Sequence, residues 1–293
     1  MENPLPSAPF QNVTQHEPYV RLVPTQFQNS LTFSASELQL LEGTSLHYAT
    51  TQRLENLRQS AKAMREWLQH SSEKHPDDAL HVLADYAKTE TWENLWIWAD
   101  MAYASRSFPP QVGGWPTEDE PILIPGFDAL NHRRGEPVTW SFEATNEAFF
   151  TLNRGCEPKE QVFNNYGAKS NEELLMTYGF VEPGGPDDVL VLSLRSNLSQ
   201  PQSVHYWKRS DPDPPASFLE QCRGTSAEDN DDPISSLLDE VHAIEAMEQM
   251  TRQKRKVFKR IQAEVDDAVP FKDAHDFIRA DVLTMIQEYR KGM

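Results

Sequence analysis

The run Tyr166-Gly167-Ala168-Lys169-Ser170-Asn171-Glu172-Glu173-Leu174-Leu175-Met176-Thr177-Tyr178-Gly179-Phe180 decides the reading of this chain. It spells a turn followed by a capped helix. Gly167 sets the Tyr166 phenol on a backbone turn. Asn171 can cap a helix over Glu172 to Tyr178, because a side-chain oxygen at a helix start accepts from the free backbone N–H groups. Gly179 stops that helix, since glycine takes the left-handed conformation that ends one. Two tyrosines therefore bracket a short helix.

Working upstream, Leu123-Ile124-Pro125-Gly126-Phe127-Asp128-Ala129-Leu130-Asn131-His132 begins as a short apolar strand, Ile122 to Ile124, and turns polar at once. Asp128, Asn131 and His132 follow a buried run directly. Buried polar groups need partners, so this pattern implies a ligand or a backbone network. Further back, Ala104-Ser105-Arg106-Ser107-Phe108 closes a Trp-rich helix expected over Thr91 to Ala104, with Leu95, Trp98, Ala99 and Ala102 on one side. Trp92, Trp96 and Trp98 fit a packed helix face better than a binding platform.

Helical spacing predicts further helices over Tyr48 to Gln69 and Asp77 to Lys88. Ser34-Ala35-Ser36-Glu37 has the spacing of a capping box. Strands are expected at Val138 to Phe142, Ala148 to Leu152, Gln161 to Phe163 and Val189 to Leu194. Residues 1 to about 30, Gln111 to Glu120, Asp211 to Pro215 and Glu228 to Pro233 read as irregular. From Ser203 onward the character changes, ending in long helices over Pro233 to Glu264 and Phe271 to Tyr289. The apolar positions of the first of these do not keep a heptad, so it reads as a bundle helix with a solvated face rather than a coiled coil. Lys254-Arg255-Lys256 belongs to that face.

Taken together and in this order, the segments resemble the SET-domain protein methyltransferases. The branch is that of RuBisCO large-subunit methyltransferase and the fungal ribosomal-protein lysine methyltransferases. That branch carries an S-R-x-F segment, then L-x-P-x-x-D-x-x-N-H, then Y-G-x-K-x-N-x-E-L-L-x-x-Y-G-F, the last matched here almost throughout from Tyr166 to Phe180. Pro18-Tyr19, Leu22-Val23-Pro24 and Ser34 to Leu46 resemble the same branch's lead into its inserted helices. The resemblance covers about residues 17 to 195.

It implies an α+β fold. Residues 1–195 would form a partial SET β-rich domain with a helical insertion at about 34–104, and residues 196–293 a helical C-terminal domain of substrate-binding type. It implies methyl transfer from S-adenosylmethionine to a protein lysine, without a metal. By position in the motifs, Tyr166 is the catalytic tyrosine. Arg106, Asp128, Asn131, His132 and Tyr178 hold the cofactor, while Phe108 and Trp140 line the path of the target side chain. The branch also has a small β unit with a G-x-G-type turn and an acidic residue. None precedes Pro18, and Gly113-Gly114 and Gly184-Gly185 lie elsewhere. The expectation is a SET domain lacking its N-terminal part. It could be a truncated enzyme, a non-catalytic interaction module, or one in which another segment substitutes. Histidine methylation is a further alternative.

Composition narrows the partners. With 45 acidic against 27 basic residues the formal charge is -18. Such a surface repels phosphate backbones and attracts basic protein, a ribosomal protein or similar. Two cysteines, Cys156 and Cys222, without a C-x-x-C pair, suggest neither a zinc site nor a disulfide framework. The N-terminus does not read as a secretory signal, and no apolar run reaches membrane-spanning length. The expected location is cytoplasmic or nuclear. Target residue, degree of methylation and oligomeric state are not encoded in these patterns.

Overall fold

A computed structural model describes residues 17–74, 78–113, 120–142, 147–194, 203–222, 233–273 and 276–292. The expected irregular segments at 1–16, 114–119 and 228–232 lie outside these. In chain order the helices are α1 (Glu17–Val20), α2 (Ala35–Gln39), α3 (Ser45–Ser72), α4 (Asp78–Ala87), α5 (Trp92–Arg106), α6 (Asn171–Glu173), α7 (Ala216–Cys222), α8 (Pro233–Asp267) and α9 (Ala280–Gly292). The strands are β1 (Ser107–Phe108), β2 (Ile122–Leu123), β3 (Val138–Phe142), β4 (Ala148–Leu152), β5 (Val189–Leu194), β6 (Ser203–Lys208), β7 (Phe271–Lys272) and β8 (Phe277–Ile278). Each pairs antiparallel with its neighbour in sequence, giving two-stranded sheets β1–β2, β3–β4, β5–β6 and β7–β8. The chain is α+β, and it divides into two compact units, Met1–Phe27 with Gln52–Ala168, and Gln28–Thr51 with Lys169–Met293.

In the first unit the apolar stripes of α3, α4 and α5 meet. Ala61, Leu68, Ala84, Ala87 and Trp92 are buried together, with Trp96 packed against them. Burying an indole requires a partner for its N–H. Trp92 donates to Ala61 O at 2.8 Å, Trp96 to Ser60 Oγ at 2.9 Å and Trp98 to Pro24 O at 2.9 Å. Trp92 is thus core, as expected, whereas Ala99 is exposed. The hairpin β3–β4 has the residue limits that alternation predicted.

Gln161 to Phe163 is not a strand. A turn from Glu157 to Glu160 precedes it, and pairing begins one residue later, at a parallel bridge between His132 and Asn164. Phe163 instead lies under the Arg133 guanidinium, 3.9 Å from the ring centre.

The second unit is built around Leu41, Leu46, Leu175, Ile261, Val265, Val282 and Ile286, drawn from the turn after α2, from α3, α8 and α9, and from the helix after Tyr166. Ser34 and Glu37 form the expected capping box of α2. The cap expected at Asn171 lies one residue earlier: Ser170 caps α6, and Glu173 completes a capping box with it. Asn171 is held elsewhere, by Asp188 and by both backbone groups of Glu182 at 2.7–3.1 Å. From Leu174 to Tyr178 the helix widens to a π turn, closed by Gly179 N–H on Leu174 O at 2.9 Å.

Phe271 to Tyr289 is not one helix. Asp276 accepts from Phe277 N–H at 2.9 Å and from Ser36, while Asp273 N–H bonds Asp276 O at 2.8 Å, so the chain turns back as β7–β8 before α9. The strand β6 was not anticipated, although Val204, Tyr206 and Trp207 are strand-forming residues. The expected division at 195/196 falls between the paired strands β5 and β6.

Candidate active site

Seven of the eight residues singled out from the sequence belong to the first unit: Arg106, Phe108, Asp128, Asn131, His132, Trp140 and Tyr166. Their positions follow from local geometry. Helix α5 ends on Arg106, and Ser107 caps it in extended conformation. The chain then runs into β1, which pairs Phe108 with Ile122. After β2, Gly126 adopts φ +94°, a left-handed value that suits glycine, and a single 3-10 turn, Phe127–Ala129, returns Asp128 toward α5.

Asp128 is the centre of one network. Its Oδ2 accepts from Arg106 Nη1 at 2.8 Å and from the Tyr19 hydroxyl at 2.8 Å. Its Oδ1 accepts from Gly126 N–H at 3.0 Å, and its carbonyl takes a second bond from Arg106 Nη1 at 3.3 Å. The carboxylate is 2% exposed. Burial, then the bond to Asp128, pushes the Tyr19 phenol up to about 12. Arg106 Nε is buried and meets no acceptor among the described residues.

His132 centres a second network. Its ring is buried and stacks on Tyr166, centroids 4.9 Å apart and planes 21° from parallel. Tyr166 N–H donates to His132 Nδ1 at 3.0 Å. A nitrogen that accepts cannot carry the proton, so the imidazole is neutral with its hydrogen on Nε2. The Tyr166 hydroxyl donates to Leu130 O at 2.7 Å. Asn164, buried, ties both sides together. Its N–H donates to Asn131 O at 2.7 Å and its O accepts Arg133 N–H at 2.9 Å. Its Oδ1 accepts from Trp140 Nε1 at 3.1 Å. Trp140 in turn meets Phe108 edge to face, centroids 5.4 Å apart. Asn131 contributes its carbonyl to this frame and its side chain faces solvent.

Tyr178 belongs to the second unit. It closes the π turn, half-buried, and burial followed by the nearby Glu173 charge raises its phenol. Phe180 lies 6.3 Å away at 54°. Gly179, at φ +80°, lies so close to Gln28 O that a Cβ would sit 2.7 Å from it.

Sequence reasoning passed over Tyr19 and Asn164. Tyr19 lies inside a quoted segment and Asn164 two residues before one, but neither carries a spacing signal. Each partner is far away in sequence, 109 residues for Tyr19 and Asp128.

No protein-family model matches the chain. It is similar to the ribosomal lysine N-methyltransferase set10 of Schizosaccharomyces pombe, with 30% identity over 178 residues, 60% of this chain and 30% of that protein. It is also similar to the protein-lysine N-methyltransferase EFM1 of Saccharomyces cerevisiae, with 26% identity over 213 residues, 61% of this chain and 35% of that protein. The chain thus spans about a third of the length of these curated relatives. Among solved structures, the SET domain of LSMT bound to lysine and AdoHcy matches 96% of this chain and 68% of its own, at 18% identity and a TM-score of 0.66. That likeness shows a SET-domain fold. The resemblance to the RuBisCO large-subunit methyltransferase branch and its fungal ribosomal relatives holds in sequence and in fold.

Proposed function

We propose that this chain is the catalytic part of a protein-lysine N-methyltransferase that uses S-adenosylmethionine. The observation that carries the proposal is the convergence of Arg106, Asp128, His132, Trp140 and Tyr166, separate in sequence, on two networks in one unit. Methyltransferase names on the similar proteins and the SET-domain fold support it.

The residues suit the cofactor. Arg106 Nε is a buried donor without an acceptor among the described residues, and a buried donor left so costs about 1–3 kcal/mol. The carboxylate of an amino-acid moiety is the matching acceptor. Asn131 and His132 offer an exposed amide and a neutral ring in the same unit. S-adenosylmethionine, when bound, supplies an electrophilic methyl group on sulfur. The protein's own task is then to hold a neutral lysine amine in line, a positioning task. The Tyr166 proton is committed to Leu130 O, so toward an amine its oxygen acts as an acceptor and orients the N–H. The faces of Tyr166, Phe108 and Trp140 favour cationic groups by cation–π attraction, about 0.5–2 kcal/mol each. In this reading residues 196–293 recognise the protein substrate. A basic substrate, of the ribosomal kind named for set10, would place the protein in cytoplasm or nucleus.

The test is calorimetric titration of S-adenosylmethionine into the 293-residue chain. Micromolar binding that weakens by about tenfold or more in Asn131→Ala is expected, the loss of one charge-assisted contact. Transfer of labelled methyl to lysine-rich ribosomal protein should then disappear in Tyr166→Phe, with mass mapping placing the mark on lysine. A folded sample that binds no cofactor would leave a protein-interaction module as the better reading.

A further inference from the structure

The Asp128 carboxylate is filled by protein donors. Arg106 and Tyr19 share Oδ2, Gly126 N–H takes Oδ1, and the group is almost wholly enclosed. So enclosed, it acts on a ligand through whatever it holds, and what it holds at the site is the Arg106 guanidinium. With Nη1 fixed on Asp128 Oδ2 and O, the planar fork fixes where Nε–H points.

Tyr19 supplies the remaining donor. It sits in α1, whose turn is closed by Leu22 N–H on Tyr19 O at 2.8 Å, and Pro24 beyond it is held by Trp98. Its flanking residues Pro18 and Val20 are exposed, while its hydroxyl reaches the enclosed Asp128 carboxylate. A phenol this hard to ionise stays a donor across the working pH range, and a neutral donor to a carboxylate already paired with arginine stabilises the ionised pair without adding charge.

We propose that Tyr19 is a positioning residue of the cofactor pocket, fixing Asp128 and through it the aim of Arg106 Nε–H; this rests on the methyltransferase reading above. Tyr19 touches no reacting atom in this scheme. Its removal should weaken cofactor binding and leave the chemical step at saturation almost unchanged.

The experiment compares the full chain with Tyr19→Phe, which keeps the ring and removes the hydroxyl. Two quantities are read: S-adenosylmethionine affinity by calorimetry, and hydrogen exchange of Arg106 Nε–H by side-chain NMR without ligand. We expect affinity to fall about 5–10-fold, the scale of one hydrogen bond to a charged group, with faster Nε–H exchange and kcat within about twofold of wild type. In an Asp128→Ala background the same substitution should cost nothing further, because its effect runs through that carboxylate. Unchanged affinity and exchange in Tyr19→Phe, or full additivity with Asp128→Ala, would overturn the inference. If wild type binds no cofactor, the methyltransferase reading falls first. The exchange measurement then decides the Tyr19–Asp128–Arg106 link alone: faster exchange supports it and unchanged exchange overturns it.

Discussion

Glu172 shows how one side chain inside a recognition motif can serve the fold rather than the chemistry. It follows Asn171 in the matched run, but its carboxylate is turned inward, where the Ser45 hydroxyl donates to it and Tyr289 approaches at 3.4 Å. Burial raises its pKa above the ordinary 4.5, and the bonds from Ser45 and Tyr289 only partly offset that. The sign of the linkage follows. Between the unfolded value and the raised folded value the native state holds more protons than the unfolded chain, so stability falls as pH rises through that window. Glu172→Gln keeps an acceptor for Ser45 and removes the charge. Chemical denaturation from pH 4 to 8 should show wild type losing stability with rising pH relative to Glu172→Gln. A parallel pair of curves would mean that Glu172 does not titrate differently in the folded chain. The same contrast explains which candidate-site residues stood out in the sequence. Arg106, Asp128, His132 and Tyr166 stand at motif positions where polar groups interrupt apolar runs. Tyr19, Asn164 and the carbonyl of Leu130 show no such interruption, because their importance comes from partners that only folding brings near.

Secondary-structure elements were legible where a local rule fixes them. The capping box at Ser34 and Glu37 and the alternation of β3 and β4 each act within a few residues. The rule failed where a distant side chain intervenes. Asp276, engaged by Ser36 some 240 residues earlier, sits where Phe271–Lys272 pair with Phe277–Ile278 and helical spacing alone read a helix. The π turn before Gly179 is likewise invisible to spacing, since Leu174–Tyr178 is too short to show a change of period. Glu37 joins the two ends of the second unit. Its carboxylate is fully buried, accepts Ser34 N–H at 2.9 Å, and holds Arg279 through Nε at 3.0 Å, Nη2 at 2.8 Å and backbone N–H at 2.8 Å. Removing one partner of such a pair strands the other without its counter-charge. Glu37→Ala should therefore cost about 3 kcal/mol of unfolding free energy, readable as a lowered urea midpoint. Ser34→Ala, which removes only the hydroxyl side of the cap and its bond to Phe277 O, should cost less, about 1 kcal/mol. Equal costs would show that the cap, and not the ion pair, carries the stability.

The charge of the chain as a body bears on its partner. A net -18 spread over 293 residues exceeds what solubility alone asks of a domain. Surface carboxylates act beyond contact distance, over about 8–10 Å at 0.1–0.15 M salt, and they raise the encounter rate of an oppositely charged partner. A lysine side chain offered within a basic protein would feel that field, whereas S-adenosylmethionine, if held in the proposed pocket by Arg106 and the His132 frame, would feel it little. The two associations should separate under salt. Between 50 and 500 mM NaCl, kcat/KM for a basic ribosomal protein should fall by about tenfold or more, with the loss in KM. The dissociation constant of S-adenosylmethionine should change by less than about threefold, because enclosed contacts are weakly screened. A free-lysine acceptor, with no basic surface around it, is the control and should follow the cofactor. If the protein substrate proves as insensitive as free lysine, the acidic surface does not select the partner. Recognition would then rest on shape and apolar contact, as with the exposed Leu237, Val241 and Ile244 along α8.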